Sequence, residues 1–104
     1  MKINSKIEPY LNLVIAILKQ HNVKEAYLFG SVLTDRFNEK SDIDLLVNYE
    51  DFTQDPVEKG ENIWNLQFTL EDKLHREVDL VNEASLKNPF FIKEVNETKF
   101  KIYG

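Results

Sequence analysis

Apolar residues recur at helical spacing near the start of the chain. Ile7, Tyr10, Leu11, Val14, Ile17 and Leu18 make one face, with Leu13 and Ile15 on its flanks. Ser5 and Glu8 have the spacing of a capping box, while Pro9 suits the first helical position. The helix is predicted to begin between Ser5 and Pro9 and to stop near Asn22. The pattern then shortens. Ala26 to Phe29 reads as a buried strand ending at Gly30, and Ser31 to Lys40 as a polar, irregular stretch opening with a helical turn. Ile43 to Tyr49 is a second strand, and Glu50 to Gly60 an acidic loop. A second helix is expected from Glu61 to Arg76, with Ile63, Leu66, Leu70 and Leu74 on its inner face. Trp64 and Phe68 stand four residues apart on its flank, and are read as core. Val78 to Val81 is a third strand. Asn88-Pro89 opens a last helix through Glu94, and Phe100 to Tyr103 is a closing strand. This order predicts an α+β fold, a small mixed sheet packed with helices.

Composition narrows the picture. The 104 residues fit one domain, with 42% hydrophobic and 30% charged residues, so the chain is ordinary globular material. A net charge of −5 argues against direct nucleic-acid binding, which wants a basic footprint. There are no cysteines, which excludes disulfides and thiolate metal sites and points to a reducing compartment. The apolar run from Tyr10 to Leu18 is too short to span a bilayer, and no small-residue cleavage site follows it. The expectation is a cytoplasmic protein without a membrane segment.

The second strand opens with Ser41-Asp42-Ile43-Asp44, although strands disfavour aspartate. Residues two apart share a face of a strand, so Asp42 and Asp44 project together while Ile43 and Leu45 face the core. Two neighbouring carboxylates resist joint ionisation, and a divalent cation removes that conflict. Asp79 interrupts an otherwise apolar third strand; if this strand pairs beside the second, it reaches the same place. Three carboxylates without histidine or cysteine point to magnesium and two-metal phosphoryl chemistry. Gly30-Ser31, where a strand ends, offers a close backbone approach and a hydroxyl for a phosphate. Ser41 reads as a turn or supporting residue and Arg36 as a loop charge, while His21 and His75 are placed at helix ends.

Gly30-Ser31, nine residues, Ser41-Asp42-Ile43-Asp44-Leu45 and then Val78-Asp79-Leu80-Val81 together resemble the signature of the DNA polymerase beta-like nucleotidyltransferase superfamily. The short length resembles its minimal branch, the MNT domains, so residues 1–104 are read as one minimal domain of the nucleotidyltransferase fold. The resemblance implies that Asp42 and Asp44 hold two magnesium ions. It implies that Asp79 binds the catalytic metal and helps take the proton of an attacking hydroxyl. Gly30 and Ser31 would grip the tail of a nucleoside triphosphate, with Ser41 and Arg36 as further binding residues. One departure is visible: Val32-Leu33-Thr34-Asp35-Arg36 stands where many members carry Ala-Arg-Gly, so Arg36 is shifted.

Family resemblance also implies a partner. MNT proteins commonly pair with small helical HEPN proteins in toxin–antitoxin modules, some transferring AMP from ATP to a tyrosine of the toxin. A magnesium-dependent protein adenylyltransferase acting as antitoxin is therefore expected, in a homo- or hetero-oligomer. Two alternatives stand beside it: a module that silences its partner by contact, and transfer to a small molecule. The wide face of the first helix and the Trp64–Phe68 flank would suit docking surfaces, although core packing explains both more simply.

Overall fold

A computed structural model describes residues 7–34, 36–38, 40–49, 55–83 and 86–104. Helix α1 spans Glu8–Gln20 and strand β1 Val23–Phe29; a short 3-10 turn follows over Gly30–Leu33. Strand β2 is Ile43–Tyr49, helix α2 Pro56–Leu74, strand β3 Val78–Asn82, helix α3 Pro89–Thr98 and strand β4 Phe100–Tyr103. The sheet runs β3-β2-β1-β4, antiparallel except between β2 and β3, so it is mixed as expected.

Most elements start where local chemistry tells them to. Helix α1 begins at Glu8 with Pro9 in its first turn, and Asn22 takes a left-handed φ of 61° just beyond its end. Ser5, the other half of the expected capping box, lies outside the described residues. Asn88 caps α3 by accepting from the N–H groups of Phe90 and Phe91. His21 and His75 close α1 and α2, and His75 is left-handed at φ 54°.

Five boundaries need correcting. Helix α2 starts at Pro56, inside the stretch expected to be loop, and ends at Leu74 rather than Arg76. Asp55 caps it through the Val57 N–H at 2.9 Å, with Pro56 following in the first turn. Gly60 looked like a breaker, yet it costs only about 1 kcal/mol against alanine. Leu66 and Leu70 are fully buried, and each contributes about 2 kcal/mol by leaving water, so the helix runs through the glycine. Strand β1 begins three residues earlier than expected and β3 ends one later, at Asn82. Helix α3 continues to Thr98, because Val95 is buried against the sheet.

Two layers flank the sheet. On one face, α1 (Val14, Ile17, Leu18) and α2 (Leu66, Leu70, Leu74) pack on Leu28, Ile43, Leu45, Val47 and Val78. On the other face, α3 packs through Val95 on Phe29 and Leu46, with Tyr27, Val81 and Phe91 around them. Trp64 and Phe68 join neither cluster: they are 73% and 66% exposed, against the expectation of core. Among the described residues no helix is long and apolar enough to cross a membrane.

Candidate active site

The parallel pairing of β2 and β3 puts Asp44 directly beside Asp79, on strands about 4.8 Å apart. Alternation then decides the face. Asp44 shares its side of the sheet with Leu46, and Asp79 shares its side with Val81, so both carboxylates project toward the α3 layer. Ile43 and Leu45 point the other way and are fully buried, as the alternation of β2 predicts. Asp42 sits one residue before β2 and is exposed.

Charge accumulates at this point. The Asp44 carboxyl is pushed up to about 6, first by burial, then by the Asp79 and Asp42 carboxylates; the Ser31 backbone N–H, donating to it, pulls the other way. Gly30 explains how β1 and β2 come together here. Phe29 pairs with Asp44 across the ladder, so Gly30 lies against that carboxylate. A Cβ at Gly30 would collide with the Asp44 carboxylate oxygen, and its φ of +75° belongs to the left-handed region that favours glycine. Gly30 and Ser31 thus shape the carboxylate site itself, besides standing at its edge.

Among the described residues no three carboxylates or imidazoles close into a ready-made cation cage. The donor set nevertheless fits a hard divalent cation. Its donors are carboxylate oxygens, two stand in register on neighbouring strands, and their mutual repulsion leaves Asp44 short of positive charge.

A cavity of about 720 Å³ opens between the 3-10 turn and α3, on the same face as the carboxylates. That volume lies in the usual range for small-molecule sites. Phe29, Gly30 and Ser31 line one side, with Arg36 also in the wall despite its shifted position in the sequence. Helix α3 supplies Phe91, Glu94 and Thr98 opposite. These three were not singled out in the sequence, where the end of α3 itself was misplaced.

Two further groups position the site, and neither was legible as such. Arg76 sends one guanidinium nitrogen to the backbone carbonyls of Asn38 and of Ser41, the latter at 2.7 Å. The same guanidinium lies 4.5 Å from the Phe37 ring centre and 5.7 Å from that of Tyr10. It therefore staples the 38–41 turn that delivers Asp42. Ser41 adds a local bond, its hydroxyl oxygen accepting from the Asn38 N–H at 3.0 Å, which agrees with a supporting role. On the outer edge of β3, α2 satisfies the backbone of Val78. Gln67 donates to its carbonyl at 3.1 Å and Glu71 accepts from its N–H at 3.1 Å. Those bonds hold the strand one residue before Asp79.

The profile of the nucleotidyltransferase domain family matches residues 11–102. The chain belongs to that family. The resemblance read from the aspartate spacing is borne out, and so is the fold. A protein of Methanocaldococcus jannaschii, provisionally named a protein adenylyltransferase, is 37% identical over 93% of this chain and 95% of its own. A solved toxin–antitoxin structure with AMP-PNP contains a chain 28% identical, with a TM-score of 0.72 over 90% of this chain and 73% of that one. The solved complex of a tri-AMPylated Shewanella oneidensis HEPN toxin with its MNT antitoxin contains another, 26% identical, with a TM-score of 0.66 over 93% and 71%.

Proposed function

We propose that this nucleotidyltransferase moves AMP from ATP to a tyrosine hydroxyl of a HEPN-class toxin and so acts as its antitoxin in the cytoplasm. The observation that carries the reading is the register of Asp44 beside Asp79, with Gly30 set against Asp44 and Gly30-Ser31 also lining a nucleotide-sized cavity whose wall includes none of the three aspartates. The relatives' names support it: one is provisionally a protein adenylyltransferase, one solved complex holds AMP-PNP, and one holds an AMPylated HEPN toxin.

In this reading Asp42, Asp44 and Asp79 hold two magnesium ions. Bound there, the ions would lower the pKa of the acceptor hydroxyl and neutralise charge on the departing pyrophosphate. The chain's own groups do the rest. Gly30 and Ser31 bind the phosphate tail, with Arg36 closing the cavity wall. Arg76 and Ser41 hold the turn that fixes Asp42. The acceptor oxygen attacks the α-phosphorus, the bond to the bridging oxygen of the β-phosphate breaks, and pyrophosphate leaves in line. Asp79 takes the hydroxyl proton, and its alignment beside Asp44 suits that task.

The test is intact-mass measurement on a co-expressed HEPN partner with ATP and magnesium. The expected result is the stepwise addition of AMP units, lost in Asp79→Asn while much of the nucleotide binding remains. An unchanged partner mass, with the partner still silenced by wild type and by the Asp42/Asp44/Asp79 triple asparagine variant alike, would establish contact as the mechanism.

A further inference from the structure

Helix α2 turns its inner side to the core and leaves an apolar stripe outside. Val57, Trp64 and Phe68 follow one another at helical spacing and are 68%, 73% and 66% exposed. Single exposed apolar residues are ordinary, but Trp64 and Phe68 are adjacent aromatics one turn apart, with Val57 two turns before Trp64, and such a pair marks an interaction surface. Gly60 sits beside the stripe, and a Cβ there would meet nothing within 4 Å. The result is a notch, part of a shallow groove of about 400 Å³ lined by Gly60, Ile63, Trp64, Gln67, Phe68 and Glu71. Glycine is a poor helix former, so Gly60 weakens the second turn of α2, and it leaves open the space that a side chain would fill.

The charge around the stripe is one-sided. Glu61 and Asp72 are exposed along one border, and Glu71 lies on the other. Lys59 and Lys73, the lysines of this helix, fall about 160° away around its axis. The chain as a whole carries −5, which disfavours a second copy of itself as occupant. We infer that this groove docks a helix of another protein, one presenting an apolar ridge bordered by lysine and arginine. A ridge residue would enter the Gly60 notch beside Trp64, while the basic borders meet Glu61 and Asp72. The surface lies in the α1–α2 layer, across the sheet from the carboxylates, so the inference stands apart from the reading of the active site.

Trp64 is the single tryptophan of the chain, so its emission reports this groove alone. The experiment titrates the full chain with two synthetic helical peptides that share one apolar ridge, one bordered by lysine and arginine, the other by glutamate. The basic peptide is expected to shift Trp64 emission to the blue, saturably and more weakly at high salt; the acidic one is expected to leave it unchanged. Gly60→Gln is expected to weaken the basic peptide at least tenfold while melting no lower than wild type and binding AMP-PNP equally well. An equal response to both peptides, a response to neither, or wild-type affinity in Gly60→Gln overturns the inference. A blue shift on concentrating the protein alone, with a dimer in sedimentation, also overturns it, because a second copy then fills the groove.

Discussion

Removing the guanidinium of Arg76 while keeping its stem tests whether the turn before β2 is held or merely packed. In Arg76→Met an apolar stem remains, but the guanidinium over the Phe37 ring and its bonds to the Asn38 and Ser41 carbonyls are gone. Hydrogen bonds from a charged donor are worth about 1.5–3 kcal/mol each when well enclosed. Arg76 is only part-buried, so the lower end applies to the pair together. Contact with the Phe37 and Tyr10 rings adds about 0.5–1 kcal/mol. Against this, its Nε is buried without a hydrogen-bond partner among the described residues, and that returns about 1 kcal/mol when the group is deleted. The net loss comes to about 1–1.5 kcal/mol, a fall in melting temperature of roughly 4–12 °C for a domain of this size. The diagnostic readout is local. Amide exchange at Asn38, Ser41 and Asp42 should accelerate more than exchange in α1, and magnesium-dependent AMP-PNP affinity should fall with it. An unchanged melting temperature refutes the energetic reasoning. A lowered one with unchanged exchange at 38–42 shows that Arg76 only packs, and its positioning role is then wrong.

Asp44→Asn tests the carboxylate cluster through pH. The folded pKa of Asp44 is raised from 3.8 to about 6, so the fold disfavours its charged form. The destabilisation is complete above pH 6, fades as pH falls through that value, and vanishes below about 4. Two pKa units correspond to about 3 kcal/mol unscreened, and exposure reduces this to about 1 kcal/mol. Without metal, Asp44→Asn should gain that much at pH 8 and nothing at pH 4 in urea melts; a loss at pH 8 would mean that Asp44 is structural. Tyr49 carries a buried hydroxyl with no hydrogen-bond partner among the described residues, and burial pushes its pKa upward. Tyr49→Phe is therefore expected to leave stability unchanged or raise it by about 1 kcal/mol, and a loss above that size in urea melts would reveal a partner for the hydroxyl.

What the sequence made legible follows from how local each cause is. The Asp44–Asp79 juxtaposition could be read because strand alternation has period two and both aspartates interrupt apolar runs. The start of α2 was misread because two local signals conflicted. Asp55-Pro56 says start and Gly60 says stop; burial of Leu66 and Leu70, which decides the matter, is a tertiary fact. Trp64 and Phe68 were taken for core because helical spacing identifies a stripe without saying what faces it. Arg76 could not be read at all. Its partners are backbone carbonyls 35 and 38 residues away, and a carbonyl leaves no mark in a sequence. Arg36, read both as a loop charge and as a binding residue at a shifted position, stands in the cavity wall.

The sheet divides its labour by face, and that division explains how a strand can carry an aspartate at its buried end. Ile43, Leu45 and Val47 alternate with Asp44 on β2 and are fully buried against α1 and α2. Each contributes about 2 kcal/mol by leaving water, whereas the charge strain at Asp44 amounts to about 1 kcal/mol after screening. The stable face can therefore fix the strand while its other face holds groups that repel one another. The α3 face is built more thinly, with Phe29, Leu46 and Val95 as its buried residues. Its Phe29 meets Phe91 edge to face at 6.0 Å, and the cavity begins beside that contact. Less apolar packing there leaves room for a ligand on the face toward which the carboxylates project. A site placed in the α1–α2 layer would instead have to displace the core that makes the fold stable.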